Sequence, residues 1–209
     1  ALYAEPTRHW SGKPCPIVAG VFVNDSFHSV SGFDPNGKLL KRRIYQRSVE
    51  ITPTSSIYKF ENEWVKLELT FTTPLLLDRL DILSRPVSYV SYKITPKCDK
   101  PMRFIFGIST RACVNNKPQR VEIKKTDFSL SCGNVNQNVL SQSGDNVMID
   151  WGYLHVCDPK ARVAKIMNQD GSYAASVVNG RGSYQTNTFV NGFYLAGSQQ
   201  EKAFFNADQ

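Results

Sequence analysis

Proton transfer and metal binding rest most often on imidazoles and paired carboxylates, and the chain has three histidines, His9, His28 and His155. They stand far beyond any local ligand spacing, so the sequence alone assembles neither a metal site nor a proton shuttle. Two acid groupings come closer. Asp78 and Asp81 flank Arg79 and lie near Arg85; cleaving a glycosidic bond needs two carboxylates facing it, one held protonated and the other ionised. Their arginine neighbours favour a plainer role, fixing a loop through ion pairs. Asp145, Asp150 and Asp158 gather more loosely around Trp151 and His155. An acid beside aromatic and imidazole groups is a cleft-lining combination. No H-E-x-x-H helix, G-x-S-x-G elbow or Gly-Lys-Ser/Thr phosphate loop occurs, so no motif implies a metal or a cofactor.

Aromatic faces beside turns can stack on sugar rings, and Trp10, Trp64 and Trp151 are the candidates for such a platform. Strand parity favours core packing for Trp151. For Trp10, within Arg8-His9-Trp10-Ser11-Gly12-Lys13, contact with another domain or a ligand stands beside local packing.

The elements that must position these groups read as strands. In Trp64–Thr72, Val65, Leu67, Leu69 and Phe71 share one face while Lys66, Glu68 and Thr70 share the other, the period of a half-buried strand. Met102–Ile108 and Asn146–Trp151 alternate likewise, the latter with Val147, Ile149 and Trp151 on one face. Further strands are expected at Ile17–Val23, Arg43–Ile51, Ser55–Phe60, Val87–Thr95, Phe128–Ser131, Tyr153–Val156, Ala161–Met167, Tyr173–Val178 and Thr188–Leu195. Turn signals separate them at Asn24-Asp25-Ser26, Asn62-Glu63, Ser143-Gly144-Asp145-Asn146 and Asn168-Gln169-Asp170-Gly171. Asn24-Asp25-Ser26 also fits the glycosylation acceptor pattern, but reads as a turn. Pro74–Ser84, crowded with leucines, reads as a loop or a single helical turn.

Many strands joined by short turns predict an all-β chain, an antiparallel β-sandwich forming a single domain. A short N-terminal segment, 1–16, precedes a sandwich over 17–209. The length of 209 residues suits one such domain. No stretch approaches the roughly 20 apolar residues of a membrane-spanning helix. Net charge is +7. Its densest run, Lys38, Lys41, Arg42, Arg43 and Arg47, leads into a strand and reads as a solvated face; with no recognition motif, nucleic acid is not an expected partner. Five widely spaced cysteines, Cys15, Cys98, Cys113, Cys132 and Cys157, form no C-x-x-C pair. Buried thiols are expected, with one disulfide, Cys98 to Cys113, as the alternative.

Longer strings carry a family resemblance. Gln46-Arg47-Ser48-Val49-Glu50-Ile51-Thr52-Pro53-Thr54 leads through Ile57-Tyr58-Lys59-Phe60 to Leu69-Thr70-Phe71-Thr72-Thr73-Pro74. Leu80-Asp81-Ile82-Leu83-Ser84-Arg85-Pro86-Val87-Ser88-Tyr89-Val90 follows, then Ser143-Gly144-Asp145-Asn146 and Ile149-Asp150-Trp151-Gly152-Tyr153-Leu154. With Arg8-His9-Trp10-Ser11-Gly12-Lys13-Pro14 ahead of them, these resemble the N-terminal β region of glutaminase A family proteins. The resemblance implies a supersandwich-like β domain followed by a large helical toroid, in a secreted or periplasmic protein. It also implies a parent that hydrolyses L-glutamine to L-glutamate and ammonia. Against that pattern the chain is expected to start after the family's opening segment and to stop before the toroid.

Catalysis is therefore expected to lie elsewhere, and catalytic residues stay unassigned. The domain would support or rim the toroid's cleft, with His9, Trp10 and Lys13, then Asp78, Asp81 and Arg85, then Asp150, Trp151, Tyr153 and His155 as the interdomain or rim candidates. The partner would be the C-terminal toroid of the same polypeptide, with a small amide or a glycan as possible ligand. The alternative is a carbohydrate-binding module, or the accessory domain of a glycoside-hydrolase-like enzyme.

Overall fold

The computed structural model describes residues 5–30, 40–116, 118–125 and 129–157 in full, and the backbone of 163–164, 173–182 and 189–198. Strands dominate. They are β1 (Ile17–Val23), β2 (Ser26–Ser29), β3 (Tyr45–Ile51), β4 (Ser55–Glu61), β5 (Val65–Thr72), β6 (Val87–Pro96) and β7 (Met102–Ser109). After a 3-10 turn at Thr110–Cys113 come β8 (Val121–Lys125), β9 (Ser129–Asn134), β10 (Tyr153–Cys157), β11 (Val163–Ala164), β12 (Tyr173–Gly182) and β13 (Phe189–Ser198). One helical turn, α1 (Leu80–Leu83), interrupts them within the leucine-rich segment.

Among the described residues the strand pairs are all antiparallel, in a five-stranded sheet ordered β11-β12-β7-β1-β2 and an eight-stranded sheet ordered β3-β4-β5-β6-β13-β10-β9-β8. The chain is thus an all-β sandwich. Alternation drives it: Val65, Leu67 and Leu69 of β5 and Val90, Tyr92 and Ile94 of β6 are buried, while Lys66, Ser91 and Lys93 are exposed. Facing them, β1 contributes Ala19, Val21 and Val23, and β7 contributes Met102, Phe104 and Phe106. Tyr92 stacks on Phe104 at 4.2 Å and Phe71 meets Phe106 at 6.0 Å, so the two sheets interlock through rings.

Asn24, at φ 51, helps close the two-residue β1–β2 loop by adopting a left-handed conformation that asparagine tolerates. On β9, Gly133 pairs with Tyr153 of β10, whose ring lies against it so closely that a Cβ would collide. Here glycine is required by close approach, not by its dihedrals.

Two expectations are corrected. Asn146–Trp151 is not a strand, and its parity is reversed: Met148 and Asp150 are buried whereas Ile149 is exposed. Side chains satisfy this segment where a ladder would: Met148 N donates to Asn115 Oδ1 at 3.0 Å, and Asp150 O accepts from Asn134 Nδ2 at 2.9 Å. The Cys98–Cys113 disulfide is absent, none of the five cysteines being disulfide-bonded, with Cys113, Cys132 and Cys157 buried. Strands β2 and β8 were not expected; β2 is short and follows a turn signal, and Val121–Lys125 is mostly charged. Of Ala161–Met167, only Val163–Ala164 forms a described strand; the rest, together with Phe128, Thr188 and the turn at 168–171, lies outside the described residues.

Register sets what gathers at each end of the large sheet. Pairs Ser55↔Thr72 and Thr72↔Tyr89 put the 52–54 turn and the 73–86 connection at one end. Pairs Val87↔Ala196 and Ala196↔His155 bring the 135–152 connection to that same end. The opposite end holds the start of β3, the end of β4 and the end of β6, through Tyr45↔Glu61 and Val65↔Pro96. The eight residues of β5 separate the two ends by roughly 20 Å.

Candidate functional site

Three sequence segments singled out as rim candidates were far apart in the chain. The fold brings Asp78–Arg85 and the start of Asp150–His155 to one end of the large sheet, and the third, Arg8–Lys13, is linked to Asp150 through Asn115 and Gln142.

In the 73–86 connection, the Arg79 guanidinium grips Asp81 with two bonds of 3.0 Å, Nε to Oδ1 and Nη2 to Oδ2. Arg85 adds a bond from Nε to Asp81 O at 3.0 Å. The hydrogen bonds from Arg79 hold the Asp81 carboxyl below the usual carboxylate range. Asp81 is thereby committed to the loop, and Asp78 beside it is exposed. What the loop displays is apolar: Leu75, Leu76, Leu77 and Leu80 are all exposed, Leu77 by 81% and Leu80 by 70%.

The turn at 8–14 is closed by His9 N to Lys13 O at 2.9 Å and Gly12 N to His9 O at 2.8 Å, with Gly12 at φ +81. Arg8 Nη1 donates to Gly12 O at 2.9 Å, and the Ser11 N–H donates to His9 Nδ1 at 3.2 Å. That fixed hairpin leaves Trp10 at its tip, 68% exposed, with its ring 5.2 Å from that of His9. Lys13 reaches inward instead, donating from Nζ to both Asn115 O and Asn115 Oδ1.

Asn115 opens a polar network centred on Asp150, which is only 5% exposed. Asn115 Nδ2 donates to Gln142 Oε1 at 2.8 Å, and Gln142 Nε2 donates to Asp150 Oδ2 at 3.2 Å. Gln119 Nε2 donates to the same oxygen at 2.6 Å. The carboxylate is thus a strut between loops, with both amide donors on Oδ2. His155 lies deeper, at 0% exposure within β10, and Trp151 and Tyr153 are half-buried. Asp145 is exposed, and Asp158 lies outside the described residues. The loop carrying this network displays Val135, Val139, Leu140 and Ile149 to solvent. Eight of the thirteen exposed large apolar residues on the described surface therefore fall in two loops at one end of the sheet.

The opposite end is basic, a feature that sequence reading spread over a solvated face. A cleft of about 480 Å³ is lined by His28, Arg42, Arg43, Arg47, Asn62 and Glu63, among others. The signal for it lay in the density of cations at Lys41, Arg42, Arg43 and Arg47 around buried Ile44. Among the described residues, no group of three or more His, Cys, Asp or Glu side chains is placed to hold a metal ion.

These features define an all-β sandwich domain with an apolar end and a basic end. The chain belongs to the family described as "Domain of unknown function (DUF5127)", whose model matches residues 54–205. No curated protein matches it. Among solved structures, it resembles the heparan sulfate lyase HepC of Pedobacter heparinus at 8% identity with a TM-score of 0.46, covering 88% of this chain and 24% of that one. A mutant of the same lyase gives 8% identity, a TM-score of 0.42 and the same coverages. The chain thus spans about a quarter of the length of those structures.

Proposed function

We propose that the chain is a non-catalytic accessory β-sandwich, docked by the apolar end of its large sheet against a catalytic helical toroid of the same polypeptide and forming part of the rim of its cleft. The carrying observation is the exposure of Leu75, Leu76, Leu77 and Leu80 in one loop that ion pairs hold in place. Exposed apolar side chains gathered in one loop mark an interaction site, and interfaces between domains of one chain are built from such surface. The family strings point the same way, because Leu80 to Val90 and Ile149 to Leu154 bracket the loops at this end. Asp150 and Asp81, the acids closest to a catalytic arrangement, are each spent on internal bonds.

For the parent's chemistry, a glycoside-hydrolase-like enzyme is favoured by Trp10, an aromatic face on a fixed turn that suits the apolar side of a sugar ring. L-glutamine hydrolysis, implied by the family strings, is the rival. Both come under one experiment. This chain and the remaining polypeptide are expressed separately and mixed, then assayed for ammonia release from L-glutamine and for cleavage of a glycan panel. Tight association that Leu77→Asp and Leu80→Asp weaken supports the accessory reading, and the productive substrate names the parent. Turnover of either substrate by this chain alone refutes it.

A further inference from the structure

The basic cleft lies at the end of the large sheet opposite the loops proposed to dock, roughly 20 Å away, so its accessibility does not depend on that docking. We propose that it is a binding site for an oxyanion, a sulfate or carboxylate group carried by a small ligand, gripped by Arg43 and Arg47 above a floor made by Asn62 and His28.

Unbalanced charge is the first support. Lys97 is neutralised, donating from Nζ to Glu61 Oε1 at 2.9 Å and to Asn62 O at 3.0 Å. Lys41, Arg42, Arg43 and Arg47 form no ion pair among the described residues, although Glu63 shares the lining. Cations clustered in this way raise the local concentration of anions.

A donor awaiting an acceptor is the second. Arg43 Nε is buried and has no hydrogen-bond partner, while the guanidinium carbon stands 5.4 Å over the Tyr45 ring. A buried N–H left unpaired is costly, and a small shift of the guanidinium off the Tyr45 ring would open its Nε edge to the two oxygens of a carboxylate or sulfate. The β-bulge between Gln46 and Ser48 leaves Arg47 as the extra residue of β3, the kind of irregularity that re-aims a side chain.

The third is a floor ordered in advance. Asn62 Oδ1 accepts from Trp64 N at 2.9 Å and Val65 N at 3.0 Å, which fixes its amide. Its Nδ2 therefore faces Arg43 O at 3.3 Å and His28 Nδ1 at 3.2 Å. Nδ1 must accept, so the neutral imidazole carries its proton on Nε2. Burial holds the His28 imidazole below its usual value, with Arg42 and Lys100 lowering it further and Glu63 opposing them. An anion in the cleft offsets that positive field. Cations on an edge strand also guard against strand pairing, but a guard needs neither a cleft, nor a buried unpaired donor, nor a fixed floor. The volume falls within the range of small-ligand pockets and exceeds the needs of a single inorganic ion.

The test is an NMR titration of the whole chain at constant ionic strength, following the Asn62 side-chain amide and the His28 ring. The probes are sodium sulfate, a disaccharide bearing one sulfate and one uronate, and its uncharged counterpart. Saturable shifts with the charged probes are expected, weakened about tenfold by Arg43→Gln and also by Arg47→Gln, an exposed position whose change leaves the fold intact. Tighter binding of the acidic disaccharide than of sulfate is expected; equal binding means that a single inorganic ion is held and overturns the larger ligand. Shifts that never saturate, that the uncharged sugar reproduces, or that Arg47→Gln leaves unchanged overturn the proposal.

Discussion

Gln119 and Asp150 meet at the apolar end of the large sheet, Nε2 donating to Oδ2 at 2.6 Å, while Gln119 Oε1 accepts from the backbone N–H groups of Asn115 and Asn116 at 2.7 and 2.9 Å. One glutamine thus ties the loop after the 3-10 turn to the loop before β10. With Gln142 on the same carboxylate oxygen, the network braces the loops that display Val139, Leu140 and Ile149.

Asp150→Ala should therefore act on stability. Removing the acceptor leaves the Gln119 and Gln142 amides short of a partner, a loss of about 1–3 kcal/mol, or roughly 2–4 °C of melting temperature per kcal/mol for a chain of this size. Thermal unfolding followed by circular dichroism measures it. Asp150→Asn keeps the shape, and the parent's turnover per folded molecule should survive that change. Abolished turnover with an unchanged melting curve would mark Asp150 as a catalytic acid instead.

Acidification should weaken the fold through His28. Its folded pKa lies below the ordinary 6.5, chiefly through burial and then Arg42. Between the folded and unfolded values the unfolded chain binds more protons, so stability is complete above 6.5 and is lost as pH falls below it. Urea midpoints should drop from about pH 7.5 to about pH 5.5, and His28→Gln should flatten that part of the profile. An equal slope in the variant contradicts the assignment.

Free thiols give a simple count. Under denaturing, non-reducing conditions five cysteines should react, whereas a disulfide would leave three. In the native state Cys113, its thiol pushed up to about 12 by burial, should resist alkylation together with buried Cys132 and Cys157. Intact mass before and after alkylation reports both.

Part of the sandwich was legible because β5 and β6 bury one face and turn the other outward, whereas β7 and β9 are buried almost throughout and β3 hardly at all. β5 showed its Val65-Leu67-Leu69 face in the sequence, and Pro74–Ser84, read as a loop or a single helical turn, is a loop that holds one turn at Leu80–Leu83. Asn146–Trp151 misled because alternation was read without its partners. With backbone bonds going to Asn115 and Asn134 side chains, Asp150 turned inward and Ile149 outward. β8 escaped because Lys124, Lys125 and Glu122 hide the parity of Val121 and Ile123. The three rim segments could be named from their residue types, but only strand register could show that Asp78–Arg85 and Asp150–Tyr153 share an end. The basic cleft needed tertiary contact: His28 and Asn62 lie 34 positions apart, and nothing local in either announces the other.

Hydrogen exchange of the full-length polypeptide against this chain alone tests the central claim most directly. Amides at 75–83 and 139–150 should slow by about tenfold or more in the full-length protein, with the basic end at 41–47 and 62–63 unchanged. Identical exchange in the two leucine-bearing and valine-bearing loops, or protection confined to the basic end, would contradict docking through the apolar end.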